Sequence, residues 1–145
     1  MDRGVVDTNV LIQLTKLDPD ELPETSLISA ITLAELSVGP LVAADDLERA
    51  RRQAHVQQAE ADFDPIPFGR EAARAFGRVA AGLRAQGRKP AARAYDALIA
   101  ATALAEDLPL YTCNPSDYLG IDGLDVRVVS LPARGAATRR DLGDG

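Results

Sequence analysis

The feature that most constrains this chain is an alternation of very short apolar runs with longer segments of helical spacing. Gly4-Val5-Val6, Ser26-Leu27-Ile28-Ser29, Leu110-Tyr111-Thr112 and Val126-Arg127-Val128-Val129 read as strands. Between them, helical patterns run from Thr8 or Asn9 to Leu14, from Ile31 to Ser37, from Asp45 to about Asp62, from Arg70 to Ala85 and from Ala91 to Ala105. Proline and glycine punctuate the series at Asp18-Pro19-Asp20, Leu22-Pro23, Gly39-Pro40, Gln86 to Pro90 and Asn114-Pro115. Asp64-Pro65-Ile66-Pro67 is an extended segment suited to a sheet edge, because its prolines cannot donate to a ladder. This alternation predicts an α/β fold with a central parallel sheet covered by helices on both faces. In such sheets ligands bind beyond the carboxyl ends of the strands, so the residues that follow each strand carry the most information.

The chain has 145 residues, 46% of them apolar, which suits one domain with a full core. Residues 133–145 have no apolar pattern and read as a loose tail behind a domain spanning 1–132. A single cysteine, Cys113, allows no internal disulfide and no Cys-based zinc site, and a single histidine, His55, allows no two-His metal site. His55 falls in a polar helix and reads as a surface residue. No apolar run approaches the ~20 residues of a membrane helix. The start, Met1-Asp2-Arg3-Gly4, lacks the basic segment and long apolar stretch of a signal peptide. A soluble protein of a reducing compartment is expected.

The net charge of −6 argues against a general nucleic-acid coat, but the charge is uneven. Residues 70–93 carry 7 basic and 1 acidic side chains, a net of +6, inside an otherwise acidic chain. The simplest account of Arg70, Arg74, Arg78, Arg88, Lys89 and Arg93 is a solvated, arginine-rich helix face. With acidic chemistry nearby, the same segment could hold a polyanion.

Four acids stand out, and each also has a structural account. Asp7 follows the first strand and, with Thr8 and Asn9, suits a helix N-cap. Glu35 lies in Thr32-Leu33-Ala34-Glu35, which matches a capping box. Asp96 sits within Tyr95-Asp96-Ala97-Leu98-Ile99-Ala100-Ala101, a stretch that reads as buried, where an unpaired carboxylate is costly and an ion pair with Arg93 is one remedy. Asp117 follows the Leu110–Thr112 strand and suits turn chemistry. Taken together, two acids come just after parallel strands and two sit in apolar helices facing the sheet. Converging carboxylates cannot all stay ionised unless a cation joins them. Oxygen ligands without His or Cys point to Mg²⁺ or Mn²⁺ and suit phosphodiester hydrolysis.

Four segments of the chain resemble, in order, the signature segments of the PIN-domain ribonucleases. They are Val5-Val6-Asp7-Thr8-Asn9-Val10-Leu11-Ile12, Ile31-Thr32-Leu33-Ala34-Glu35-Leu36, Asp96-Ala97-Leu98-Ile99-Ala100-Ala101-Thr102-Ala103 and Thr112-Cys113-Asn114-Pro115-Ser116-Asp117-Tyr118. The subgroup they are most similar to is the VapC-type toxin of bacterial toxin–antitoxin pairs, over about residues 4–131. The resemblance implies a PIN-like three-layer α/β/α fold and Mg²⁺- or Mn²⁺-dependent endoribonuclease activity. It also implies a VapB-type antitoxin partner, a homodimer that forms a heterotetramer or larger assembly with the antitoxin, and a place in the bacterial cytoplasm. Carried over residue by residue, Asp7, Glu35 and Asp96 match the family's metal-binding acids. Asn114 stands where the family has Asp or Asn, and Asp117 where it usually has an acid. Thr8, Asn9 and Thr112 match polar supporting positions. The implied mechanism has Asp7, Asp96 and Asp117 around the metal, Asn114 as a further metal-site candidate and Glu35 at the rim, and either Glu35 or the metal orients water for in-line attack on an RNA phosphate.

Two other readings compete. A haloacid-dehalogenase-type phosphatase also places an Asp after its first strand, but it needs a second Asp where this chain has Asn9. Its lysine is also missing from a suitable place, since the lysines here are Lys16 and Lys89. A catalytically silent PIN-like module that grips RNA or protein is the other, and the neutral Asn114 keeps it in view.

Overall fold

The computed structural model describes residues 2–89 and 94–132. Arg93, the expected helix start at 91–93 and the tail 133–145 therefore lie outside the described residues. Four parallel strands form one sheet in the order β2-β1-β3-β4: β1 (Arg3–Val6), β2 (Thr25–Leu27), β3 (Leu110–Thr112) and β4 (Val126–Val128). The register pairs Val5 with Leu27, Val6 with Tyr111 and Thr112 with Val128. From β1 the chain first builds β2 on one side and then returns to build β3 on the other. The crevice at the carboxyl ends of β1 and β3 is therefore the topological switch point, the place where ligands bind in open α/β sheets. Asp7 is the residue after β1, and Thr112 is the last of β3.

Successive strand residues point to opposite faces, and the core divides accordingly. Val5 and Leu110 join Val79, Leu83, Ile99 and Tyr118 on one face. Val6 and Tyr111 join Val10, Ile28, Ala59 and Val129 on the other. These are the three layers expected from the sequence. Helix α5 (Ala94–Glu106) buries Ala97 and Ile99 through Ala103, which explains why it reads as apolar on nearly every side. Helix α4 (Arg70–Ala85) covers it with Ala72, Ala75, Val79 and Leu83 and leaves Arg70, Arg74 and Arg78 exposed. Helix α3 (Asp46–Asp62) buries only Val56 and Ala59, and His55 on it is half-buried rather than fully on the surface. Gly4 is needed at its place: a Cβ there would come within 2.4 Å of the Tyr111 ring, which lies across β1.

Several local expectations change. β2 stops at Leu27, because Ile28 turns into the core and Ser29 becomes the N-cap of α2 (Ala30–Val38). The Ser29 hydroxyl accepts the Ile31 N–H at 3.0 Å. The capping box expected from Thr32 and Glu35 is thus not formed; Thr32 lies inside the helix, fully buried. The helix expected from Thr8 or Asn9 to Leu14 starts at Thr8 but is shorter, α1 (Thr8–Leu11), followed by a 3-10 turn at Leu14–Lys16. The extended segment around Ile66 pairs through one parallel bridge to Ser29: Ile66 donates to the Ile28 carbonyl, and Ala30 donates to that of Ile66, both at 2.9 Å. Pro65 and Pro67 on either side prevent a longer strand.

Candidate active site

Asp7 is the centre of the crevice. It follows β1 and caps α1, and only 3% of its surface is exposed. Its Oδ1 accepts the Thr8 N–H at 2.8 Å. Its Oδ2 accepts the hydroxyls of Thr112 and Tyr118, each at 2.8 Å, and the Asn9 amide at 3.3 Å. Oδ2 is thereby filled with donors, while Oδ1 keeps room for another partner. Burial pushes the Asp7 carboxyl above its ordinary range. The donors from Thr112, Tyr118 and Thr8 work against that rise, and the charge of Asp117 adds to it.

The supporting residues expected from the sequence form a brace across β1 and β3. Asn9 donates to Asp7 and, through Oδ1, accepts the Cys113 N–H at 3.2 Å. Thr112 accepts the Asn114 N–H at 3.0 Å while it donates to Asp7. Asn9 therefore orients Asp7, whereas a phosphatase of the dehalogenase type needs an acid at this position.

Glu35 reaches the crevice from α2. With Ser29 capping the helix, its Oε1 is left to accept the Thr8 hydroxyl at 2.8 Å, and that hydroxyl also meets Thr32 Oγ1 at 3.1 Å. Burial raises the Glu35 carboxyl above its ordinary range, opposed by the Thr8 hydrogen bond and reinforced by the charge of Asp7.

Asp96 stands in the first turn of α5 and is half-buried, not enclosed as its sequence context suggests. The link between Asp96 and Asp7 is a residue that the sequence reading passed over. Tyr118, at the end of a 3-10 turn (Pro115–Tyr118), is 2% exposed and places its hydroxyl 2.8 Å from Asp7 Oδ2 and 3.4 Å from Asp96 Oδ1. Burial and the charges of Asp7, Asp96 and Asp117 push its phenol far above the ordinary range, so it stays a protonated donor. A buried tyrosine hydroxyl needs a partner, and that need was the available signal at Tyr118. Asp117 is half-buried, with its N–H donating to the Asn114 carbonyl at 3.1 Å. Asn114 is exposed.

The basic residues do not all accompany the acids. Arg70 lines a hollow with Glu71, Thr102 and Glu106, at the far end of α5. Ten helical residues separate Glu106 from Asp96, about 15 Å along the axis. The opposite end of α4 lies beside the crevice: a Cβ on Gly120, two residues past Tyr118, would fall 1.2 Å from Gln86 Nε2, and Gly120 has φ +80°. Arg88 and Lys89 follow that end, and Arg88 Nη1 is buried with no hydrogen-bond partner among the described residues.

Among the described residues, no three of the acids are gathered so as to hold an ion between them. The chemistry still fits a hard divalent cation. Mg²⁺ typically takes one or two carboxylates and keeps several waters. Asp7 and Asp96 share one hydroxyl, the donor set is all oxygen, and burial, which raises the Asp7 carboxyl despite its donors, makes the charged form costly unless a cation joins it.

The family model of the PIN domain matches residues 4–116 of the chain. The chain belongs to the PIN-domain family. It is 37% identical over 123 residues to the ribonuclease VapC5 of Mycobacterium tuberculosis, covering 83% of this chain and 88% of that one. It is 30% identical over 130 residues to the ribonuclease VapC1 of Rickettsia felis, covering 87% and 96%. A crystal structure of a VapBC-family toxin–antitoxin system, VapBC-5 from Mycobacterium tuberculosis, superposes with a TM-score of 0.75 at 34% identity, covering 88% of this chain and 98% of that one. PIN-family membership agrees with the strand order and with the resemblance drawn from the four sequence segments. Among the described residues, no helix is long and apolar enough to cross a membrane.

Proposed function

We propose that this PIN-domain protein is a Mg²⁺- or Mn²⁺-dependent endoribonuclease, the toxin of a type II toxin–antitoxin pair acting in the bacterial cytoplasm. The observation that carries the reading is the pair Asp7 and Asp96, joined through Tyr118 at the switch point of a chain 37% identical to a named VapC ribonuclease. Asp7, through Oδ1, and Asp96 would hold the ion; Asp117 adds negative charge beside them, and Asn114 stands at the exposed rim. A bound divalent ion supplies Lewis acidity toward a phosphodiester. Glu35 acts as the base: its Oε1 is anchored by Thr8, its carboxyl is raised toward the working range of a base, and its other oxygen can take a proton from attacking water. Thr8, Asn9 and Thr112 keep the acids in place. Arg74, Arg78, Arg88 and Lys89 provide phosphate contacts along α4 and its exit. Arg70 is too far along α4 to serve the scissile phosphate.

The partner that fits this reading is a VapB-type antitoxin, the companion protein in the solved complex. A segment carrying an arginine into the crevice would form the bidentate pair that carboxylates favour and silence the site. The homodimer belongs to the same proposal. The test is cleavage of total RNA by the purified, antitoxin-free protein with Mg²⁺, with Mn²⁺ and with chelator, comparing wild type with Asp96→Asn. Cleavage that needs metal and disappears in the variant is the expected result. Cleavage that persists in chelator or in Asp96→Asn overturns the reading.

A further inference from the structure

The proposed mechanism gives Tyr118 no role of its own, yet its hydroxyl contacts both Asp7 and Asp96. The hydroxyl donates to Asp7 Oδ2 at 2.8 Å and lies 3.4 Å from Asp96 Oδ1. It shares Oδ2 with Thr112 and Asn9, so all three donors hold the same edge of the carboxylate and Oδ1 is the edge turned away from them. A phenylalanine would fill the same space in the core beside Val79, Leu83 and Ile121, since Tyr118 is 98% buried there and its ring is packed with them. The hydroxyl is therefore not required to fill the core. Its position is set from two sides: the 3-10 turn Pro115–Tyr118 carries it back over the ends of β1 and β3, and Gly120 lets Gln86 close behind it.

Resting on the divalent-ion reading above, we propose that Tyr118 is a positioning residue whose hydroxyl fixes the Asp7 carboxylate and ties Asp96 to it, so that the two acids are arranged for a cation before it arrives. Without the hydroxyl, Asp7 keeps Thr112 and Asn9 but loses one of its two shortest side-chain bonds, and Asp96 loses its link to Asp7. The Asp7 carboxylate then gains rotational freedom that ion binding must remove. Outer residues that orient metal ligands change affinity by about 10–100-fold when altered.

The experiment is Mn²⁺ titration of the full chain by calorimetry, for wild type, Asp96→Asn and Tyr118→Phe, with thermal unfolding of each protein in chelator and in Mn²⁺. The expected result is that Tyr118→Phe binds Mn²⁺ roughly tenfold more weakly and gains less thermal stability from it, while in chelator it still unfolds cooperatively, at a temperature lowered by the lost Asp7 hydrogen bond. A Tyr118→Phe constant within about threefold of wild type, with Asp96→Asn unable to bind, overturns the assignment and leaves the ion site standing. A wild type that takes up no Mn²⁺ overturns both. Should Tyr118→Phe not fold, the chain's own chromophores give a second test, because it has 3 tyrosines and no tryptophan. In the Tyr95→Phe/Tyr111→Phe protein, Tyr118 is the sole tyrosine. Saturable change of its near-ultraviolet absorption on Mn²⁺ addition supports the assignment, and an unaltered spectrum overturns it.

Discussion

The molecule holds carboxylates in two contrasting ways. On α3 they face arginines: Asp46 meets Arg49 at 2.6 Å, and Glu48 meets Arg51 and Arg52, each at 2.9 Å, in exposed or half-exposed pairs one helical turn apart. In the crevice, among the described residues, Asp7 and Glu35 are held by neutral donors: a backbone N–H, an amide, two threonine hydroxyls and a phenol. The first arrangement cancels charge on a solvated surface and contributes little to stability. The second buries charge and fixes its geometry while leaving it uncancelled, which raises both carboxyls. A helix needs no such geometry for its own stability, whereas a site that awaits a cation does.

The largest effect that can break this comparison is on activity. Asp7→Asn and Asp96→Asn should each lower RNA cleavage by more than about 100-fold, the upper range for residues that merely orient ligands, while Glu48→Gln leaves it unchanged. Initial rates on one RNA at saturating Mn²⁺ read this directly. Loss in Glu48→Gln, or retention in both crevice variants, would erase the distinction between the two acidic regions.

Next in size is the ion's effect on stability. Mn²⁺ at 100 times its dissociation constant should stabilise the wild type and Glu48→Gln by about 2.7 kcal/mol, with no gain in Asp96→Asn. Denaturant unfolding with and without the ion measures it. Equal gains in all three proteins would place the ion elsewhere.

Thr112→Val sharpens the account of the brace. The fully buried hydroxyl serves Asp7 and the Asn114 N–H, so its loss leaves buried polar groups short of a partner, at about 1–3 kcal/mol. A smaller change in chelator-treated unfolding would mean that Asp7 is held mainly from elsewhere.

The pH dependence of the crevice carboxyls has a definite sign. The folded protein holds the Asp7 and Glu35 protons more tightly than the unfolded chain does. Their contribution to stability is fully present below the ordinary carboxyl values of 3.8 and 4.5 and is lost as pH rises through the raised folded values. In chelator, then, these two groups make the protein more stable on acidification from neutrality into the carboxylate range, and Mn²⁺ reverses the trend near neutrality. Melting temperature against pH, with and without the ion, tests this; a profile unaffected by Mn²⁺ would contradict it. The smallest effect is that of Glu48→Gln on stability, below about 1 kcal/mol and shrinking with salt.

Much of this site was legible in the sequence for a simple reason. Asp7 and Thr112 directly follow or end short apolar runs, and in a parallel sheet those positions must converge. Glu35 was harder, because Thr32 and Glu35 have the spacing of a capping box. Local spacing cannot show that Ser29 caps the helix first and frees Glu35 to meet Thr8, 27 residues away. Asp96 looked buried because α5 is apolar on most sides, but its place in the first turn opens it to the crevice. The arginine row was visible as a charged segment, yet the direction of α4 against α5, which sends Arg70 to the far end, is a property of packing. Tyr118 was least legible: its hydroxyl matters only once the 3-10 turn folds back over two strands, which no periodicity in the sequence reports.

The most direct test of the central claim is diffraction from Mn²⁺-soaked crystals of the antitoxin-free protein at a wavelength where manganese scatters anomalously. The account predicts an anomalous peak in contact with Asp7 Oδ1 and the Asp96 carboxylate, absent in Asp96→Asn. A crevice without manganese, with the ion instead among the acids of α3, would contradict it.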